Sequence, residues 1–201
     1  AVNGYVMRAD IAINSHGDYQ KALEDMNEAI KLQPRYAGYF INRAFLRHQT
    51  DDYYGAMSDY DYAVQLDPLN SVALYNRALL RAEVHDYNRA IDDLNQVIAL
   101  HPNDYRTLYN RSIVFKEKGD YKDALKDVNK VIEAYPDLAA AYFLRFDIKR
   151  LMGDRSAEKD YNHSLALAKQ RVKKKTHRTS ANHTQIGSMA DVLGRGICNH
   201  S

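Results

Sequence analysis

The chain has 201 residues, of which 45% are apolar and 27% charged, a composition typical of a folded soluble protein. No apolar run is long enough to cross a bilayer, and the single cysteine, Cys198, excludes an internal disulfide and a zinc site built from cysteines. The formal net charge of +2 conceals an uneven distribution. From Lys169 onward there are seven Lys or Arg and one acidic residue, against 21 basic and 25 acidic residues before it.

The prolines reveal the organisation of the chain. All four are evenly spaced, at Pro34, Pro68, Pro102 and Pro136. An Asp-Tyr-x-x-Ala motif keeps the same interval and begins at Asp18, Asp52, Asp86 and Asp120. Since unrelated positions do not share a register by chance over four copies, the sequence predicts a repeat of about 34 residues.

Each repeat contains two helical patterns separated by a turn. In residues 71–104 the first pattern has apolar side chains at helical spacing from Leu74 to Ala82, and His85-Asp86 interrupts it. Asp86 is placed to cap the second helix, which Pro102 ends because proline cannot extend the hydrogen-bond ladder. The same register predicts turns at residues 16–18, 50–52, 84–86, 118–120 and 152–154.

This arrangement resembles the tetratricopeptide repeat (TPR) family, whose unit has the same length, about 34 residues, with a Gly-Asp-Tyr turn and a closing proline. Gly17, Gly119 and Gly153 occupy the turn-glycine position, and Asp51 and His85 replace glycine in the second and third units. The resemblance implies an all-α fold, a right-handed superhelical solenoid of about five TPR helix-turn-helix units plus a C-terminal tail. The expected units are 3–36, 37–70, 71–104, 105–138 and 139–171, followed by the tail at 172–201.

The resemblance also implies a function. TPR arrays are noncatalytic protein–protein interaction scaffolds, and their concave groove, lined by the first helix of each unit, commonly takes an extended peptide or a partner helix. Counting from the start of each unit, positions 5, 6 and 9 face this groove. They supply the candidate peptide-binding residues Met7, Ile41, Asn42, Phe45, Tyr75, Asn76, Leu79, Tyr109, Asn110, Ile113 and Phe143.

The three asparagines at position 6 form the polar part of this candidate site. An amide side chain both donates and accepts hydrogen bonds, so it suits the backbone of a bound peptide. The alternative is that these amides bond to neighbouring helices. The pattern of lysines and asparagines by which one TPR subclass grips a C-terminal carboxylate is not met in any register, which argues against that mode.

No constellation of residues indicates catalysis. The eight histidines are scattered along the chain, and there is no Gly-rich phosphate loop. Cys198 and His200 alone are too few ligands to indicate a metal site. We therefore expect no enzyme activity, no catalytic residues, no cofactor and no metal.

Two charged series share the repeat: arginines at position 7, from Arg43 onward, and aspartates in the second helix, from Asp25 onward. They predict a ladder of ion pairs along the array. In the first unit Ala9 occupies the arginine position. Pairing within units would then leave Asp25 alone, so we expect each arginine to pair with the aspartate of the preceding unit.

The tail begins with the basic stretch KQRVKKKTHR at residues 169–178, read as the end of the last helix. A capping-box pattern at Ser188–Asp191 then predicts a short helix. The tail also contains a cluster of apolar residues: Ile186, Met189, Val192, Leu193 and Ile197. We expect this cluster to cover an exposed apolar face of its own array or of a second copy, the latter giving self-association. Binding of nucleic acid or another polyanion through Lys173–Lys175 is the alternative function, and the acidic body argues against it.

The partner and the compartment cannot be read from the sequence. A cytoplasmic location is the default, and a periplasmic or secreted one applies if an upstream signal was removed, because the chain opens at Ala1.

Overall fold

The structure is a computed structural model that describes residues 2–179. Five pairs of α-helices occupy this range, and it contains no β-strand. The helices are α1 (Val2–Ile11), α2 (Tyr19–Leu32), α3 (Ala37–Gln49), α4 (Tyr53–Leu66), α5 (Ser71–Glu83), α6 (Tyr87–Leu100), α7 (Tyr105–Lys118), α8 (Tyr121–Ala134), α9 (Ala139–Leu151) and α10 (Ala157–Thr179). A π-helical segment, Ala12–His16, follows α1 directly. The predicted all-α repeat fold is confirmed.

The turns within the helix pairs lie where the Asp-Tyr register predicted them. Gly17, Gly119 and Gly153 have positive φ angles, and so do their replacements Asp51 and His85, with φ of 62° and 63°. The left-handed conformation is therefore kept even where glycine is absent, at a steric cost that glycine avoids.

Aspartates cap several of the helices that follow. The carboxylates of Asp18 and Asp52 accept hydrogen bonds from the backbone N–H groups of Lys21 and Gly55, at 3.0 and 2.9 Å. Asp86 stands at the N-cap of α6 as expected, but its side chain accepts no capping bond. It pairs instead with Arg89 at 2.5 Å, because a guanidinium one turn along the helix offers a charged donor.

The described residues form two compact bodies, an N-terminal body of residues 2–85 and a C-terminal body of residues 86–179. In the N-terminal body, Ala44, Ala56 and Ala63 are fully buried with Ile41, where small side chains let helices approach closely. The core of the C-terminal body is built the same way, from Leu108, Ala124, Val128, Val131 and Ile148. Each body therefore has an apolar core of its own.

In the second, fourth and fifth repeats, buried ion pairs fix the first helix against the second helix of the same repeat. Asp59, only 3% exposed, accepts hydrogen bonds from Arg43 Nε and Nη2 at 2.8 and 2.7 Å. Arg111 pairs in the same two-pronged way with Asp127, at 2.7 and 2.8 Å. Arg145 pairs with Asp160 of its own repeat. The predicted pairing with the preceding repeat is wrong for these arginines.

The preceding repeat supplies a different partner, an asparagine. The remaining nitrogen, Nη1, of Arg43 donates to Asn27 at 2.9 Å, and Nη1 of Arg111 donates to Asn95 at 2.6 Å. Arg145 makes the equivalent bond to Asn129. For Arg77 of the third repeat, the preceding repeat supplies an aspartate instead, Asp61, which accepts from it at 2.9 Å. One guanidinium thus ties its own repeat to the one before it.

The first repeat departs from the common register by one residue. Arg8, not a residue at position 7, pairs with Asp25, at a sequence separation of 17 residues. The separation is 16 for Arg43–Asp59 and Arg111–Asp127. The backbone N–H of Asp18 bonds to the carbonyl of Ala12, six residues back, whereas Asp52 and Asp120 bond five residues back.

The π-helix accounts for this extra residue. A π-helical turn accommodates one residue more than an α-helical turn does, so the segment Ala12–His16 absorbs an insertion without breaking the helix. Residues up to Ala12 are therefore one position out of step with the later repeats, so that Arg8 corresponds to Arg43, whereas Asp18 corresponds to Asp52. Arg8 lies over the ring of Tyr5 just as Arg43 lies over Phe40, which confirms the shifted register.

The fifth repeat has the opposite irregularity. Arg145 and Asp160 are separated by 15 residues, one fewer than in the middle repeats, which indicates a deletion of one residue. Helix α10 continues to Thr179, so the basic stretch that opens the tail is helical. Residues 180–201, with the predicted short helix and its apolar cluster, lie outside the described residues.

Candidate functional site: the surface of the first helices

The candidate site comprises positions 5, 6 and 9 of the first helices, which we call the A-helix face. Position 5 is the least accessible part of it in the N-terminal body. Ile41 is completely buried and belongs to the hydrophobic core, and Tyr75 is only 6% exposed. These two candidates serve packing and offer little surface to a ligand.

Position 9 offers apolar surface beside that core. Phe45 and Leu79, on α3 and α5, are half-buried, so part of each side chain remains available for contact. Asn42 and Asn76 lie three residues before them on the same helices and are also half-buried. The N-terminal body thus carries, on successive first helices, an amide next to a partly exposed apolar group.

The amide of Asn42 is not satisfied within the protein. Its side-chain oxygen is buried and has no hydrogen-bond partner among the described residues. No hydrogen bond to the Asn76 side chain occurs there either. Buried polar atoms normally have partners, because an unmade hydrogen bond costs the desolvation of the group. The expectation that the asparagines serve the packing of neighbouring helices therefore does not describe Asn42.

In the C-terminal body the same positions are more varied. Asn110 is 9% exposed and does have an interaction partner, so it differs from Asn42. Tyr109 and Ile113 are half-buried, and burial raises the pKa of the Tyr109 phenol above its ordinary value. Phe143 is 46% exposed and forms an aromatic cluster with Phe146 and Tyr161, with ring centroids 5.1 to 6.5 Å apart.

The one-residue shift changes the A-helix face of the first repeat. Met7 and Ile11 are 64% and 57% exposed, but they occupy the structural equivalents of positions 6 and 10. The residue that corresponds to Phe45 is Asp10. A carboxylate therefore lies where the next repeat has an aromatic ring. Numbering the repeats at a constant interval, without an insertion, did not identify Asp10 as a residue of this face.

Asp10 and Asn42 line a small pocket between α1 and α3. Its volume is about 10 Å³, room for a single water-sized group, and Ile13, Met26 and Phe45 contribute apolar walls. Asp10 has no ion pair or hydrogen bond with the described residues. Burial raises the pKa of its carboxyl group, since no cation offsets the loss of water. Two acceptors of the pocket, the Asp10 carboxylate and the Asn42 Oδ1, thus have no donor among the described residues.

A signal for this arrangement was present in the sequence. In the second and fifth repeats an arginine follows an aromatic residue after three positions, as in Phe40–Arg43 and Tyr142–Arg145. Tyr5 and Arg8 have the same spacing, and aligning them would have placed Asp10 at position 9.

Other kinds of site find no support in the described part of the chain. No group of three or more His, Cys, Asp or Glu side chains there is placed to hold a metal ion. None of the described helices has the length and apolarity needed to cross a membrane.

These features define a helical-repeat protein of the kind that serves as a protein–protein interaction scaffold. Two tetratricopeptide repeat profiles match the chain, one over residues 2–36 and one over residues 75–145. The chain belongs to the tetratricopeptide repeat family. Members with this fold are typically noncatalytic. No curated protein sequence gives a significant match.

Solved structures show the same fold. A MamA fragment from Desulfovibrio magneticus RS-1 superposes with a TM-score of 0.79 at 16% identity, covering 84% of this chain and 96% of that one. A TPR protein from Parabacteroides merdae ATCC 43184 has a TM-score of 0.72 and 23% identity, covering 82% of this chain and 64% of that one. YrrB, described as a TPR protein with an unusual peptide-binding site, has a TM-score of 0.71 and 17% identity, covering 83% and 86%. At these identities the likeness extends to the fold alone.

Proposed function

We propose that the chain binds an extended peptide or a partner helix on its A-helix face. The observation that carries the proposal is the pair of amides in the N-terminal body, Asn42 and Asn76, which have no hydrogen-bond partner among the described residues. A bound backbone supplies alternating N–H and C=O groups that can satisfy such amides.

Apolar surface beside the amides supports the same function. Phe45 and Leu79 retain exposed area next to Asn42 and Asn76. Contact with a ligand at these positions removes apolar area from water, at about 25 cal/mol per Å². Phe143 extends comparable surface to the C-terminal body, where it is 46% exposed. The buried Ile41 and Tyr75 form the rigid support beneath this face rather than contacts with the ligand.

Selection from a random peptide library displayed on phage, with the immobilised chain as bait, tests the proposal. Selected peptides are synthesised and their affinities measured by calorimetry. We expect the double variant Asn42→Leu, Phe45→Glu to weaken binding at least tenfold. Tyr54→Ala is the matched control, because Tyr54 is an aromatic residue that is 94% exposed but lies on α4, a second helix.

Two results would contradict the proposal. One is the absence of any selected peptide that binds in solution. The other is equal affinity for the wild-type chain and the double variant, which would place binding elsewhere on the molecule.

A further inference from the structure

We propose that the pocket between α1 and α3 takes a primary ammonium group, that of a lysine side chain on the bound peptide. This inference rests on the proposed peptide-binding function and adds the chemistry of one ligand residue to it. The pocket brings together Asp10, Asn42 and the apolar side chains of Ile13, Met26 and Phe45.

The polar lining of the pocket determines the sign and type of the ligand group. The buried oxygen of Asn42 accepts hydrogen bonds, and it has no donor among the described residues. Asp10 is likewise without a cation or a donor there. A ligand carboxylate would place a second negative charge beside Asp10, and a ligand carbonyl would leave both of these oxygens without a donor. An ammonium group carries three donors, no acceptor and a charge opposite to that of Asp10.

The size of the pocket selects among donors. A pocket of about 10 Å³ suits a compact group such as an ammonium better than a larger planar one. The planar guanidinium of arginine and the primary amides of asparagine and glutamine bring three or more heavy atoms. A hydroxyl group fits, but it donates a single hydrogen bond and leaves the carboxylate without a counter-charge.

The walls of the pocket explain why the ammonium group should come from lysine. Ile13 and Phe45 are half-buried and line the pocket. A lysine side chain brings four methylene groups, which can lie against such apolar surface while the charged end reaches the acceptors. The free amino group of a chain terminus has no such stem.

The pocket occurs at the one point where the first helix is irregular. Asp10 lies two residues before the π-helix Ala12–His16. At the corresponding position the next three repeats have Phe45, Leu79 and Ile113, which are apolar. An aspartate at this position is therefore not part of the common packing scheme of those repeats. π-helical turns are frequently found at functional sites, and here one borders the only buried oxygen without a partner in the described side chains.

The test uses three small probes that separate the sources of the ammonium group. Nα-acetyl-lysine N-methylamide carries only the side-chain ammonium, and norleucine N-methylamide carries only the α-ammonium. Nα-acetyl-norleucine N-methylamide carries neither. Each is titrated into the isotope-labelled chain, and the NMR signals of Ala9, Ile13 and the Asn42 amide are followed. We expect the lysine probe to give saturable shifts and to bind at least tenfold more tightly than the other two.

Three variants connect the binding to the pocket. Asp10→Asn and Asn42→Leu should each weaken binding of the lysine probe at least tenfold. Tyr54→Ala, at a residue on α4 that is 94% exposed and lies outside the A-helix face, should leave it unchanged. Because Asp10 has no partner among the described residues, Asp10→Asn should not lower the thermal unfolding midpoint, and loss of binding will then report on the site itself.

Several outcomes would overturn the inference. These are equal binding of all three probes, tightest binding of the α-ammonium probe, no saturable shift, or full binding by Asp10→Asn. The proposed function is tested separately by the selected peptides. If those peptides depend on Asn42 and Phe45 but tolerate both Asp10→Asn and replacement of every lysine, peptide binding stands and the ammonium pocket is wrong.

Discussion

Arg43 and Asp59 form a two-pronged ion pair in which both aspartate oxygens accept from one guanidinium, at 2.8 and 2.7 Å. A second arginine, Arg47, donates to the same carboxylate at 2.9 Å. The side chain of Asp59 is only 5% exposed, so water does not replace these contacts. The pair joins the two helices of one repeat, while the remaining arm of Arg43 reaches Asn27 of the preceding repeat.

The first prediction concerns this pair. Replacing Asp59 by Asn keeps the shape but removes the charge opposite two arginines, so the free energy of unfolding should fall by about 3 kcal/mol. Urea denaturation followed by circular dichroism measures the change. Glu28→Gln is the control, since Glu28 and Lys31 form a solvent-exposed pair at 2.6 Å, and its loss should cost about 0.5 kcal/mol or less. Equal effects of the two substitutions would show that the Asp59 pair is not buried in solution.

The turns were predicted correctly from the sequence, but the ion-pair partner of Arg43 was not. The prolines and the Asp-Tyr motif placed the turns correctly, because both depend on local backbone chemistry that recurs in each repeat. The choice of partner for Arg43 depended on the register of the first repeat, where Ala9 seemed to replace the arginine. The extra residue lies upstream of Asp18, the first element of the proline and Asp-Tyr registers, so the constant interval gave no sign of it.

The candidate site was predictable to a similar degree. Position numbering identified the half-exposed Phe45 and Leu79, because helical periodicity decides which side of a helix a residue occupies. It did not separate Ile41, which is fully buried, from Phe143, which is 46% exposed at the same position. That difference depends on the neighbouring repeat, a tertiary effect that one helix does not encode.

The second prediction concerns acid stability. Burial would raise the pKa of Asp160, but hydrogen bonds from Arg145 and Lys149 outweigh it and hold the pKa below its ordinary value. When folding lowers the pKa of a carboxyl group, the group stabilises the folded state at pH values above its unfolded pKa of about 3.9. This stabilisation is lost as the pH falls through the pKa of the folded state. Wild-type protein should therefore lose stability more steeply below about pH 4 than Asp160→Asn does.

Thermal unfolding midpoints measured between pH 7 and pH 2.5 check this expectation. Asp123→Asn, on the exposed surface of α8, is the control and should follow the wild-type curve. Parallel curves for wild type and Asp160→Asn would contradict the assignment of acid sensitivity to this pair.

The third prediction uses the left-handed turn residues. Asp51 has a φ of 62°, a conformation that costs an ordinary residue about 1 kcal/mol more than glycine. Asp51→Gly should therefore raise the free energy of unfolding by about 0.5 kcal/mol or less, because the entropy that glycine adds to the unfolded chain offsets part of the relieved strain. Gly119→Ala, at a φ of 94°, should do the opposite and lower it by about 1 kcal/mol. If both substitutions shift the urea midpoint in the same direction, backbone strain at these turns does not determine the change in stability.

The fourth prediction concerns the close contact between the two helices of the fourth repeat. Ala124 is fully buried in the core of the C-terminal body, and its carbonyl accepts a hydrogen bond from the Ser112 hydroxyl at 2.8 Å. Ala124→Leu should overpack this contact and lower the free energy of unfolding by about 1–3 kcal/mol. Ala134→Leu makes the same change at an exposed position of α8 and should have almost no effect. Similar urea midpoints for the two variants would argue against a tight helix contact at Ala124.

The last prediction concerns the inserted residue. If the π-helix Ala12–His16 exists only to accommodate one extra residue, deleting Ser15 should convert it to a regular α-helix. The separation of Arg8 and Asp25 would fall from 17 to 16 residues, the value of Arg43 and Asp59, while Arg8 keeps its place opposite the carboxylate. The thermal midpoint should be unchanged or higher. Deleting Gln49 from the regular helix α3 shifts its register against the turn and should lower the midpoint by several degrees. A comparable drop for both deletions would mean that the π-helical turn is required by the packing of the first repeat rather than tolerated by it.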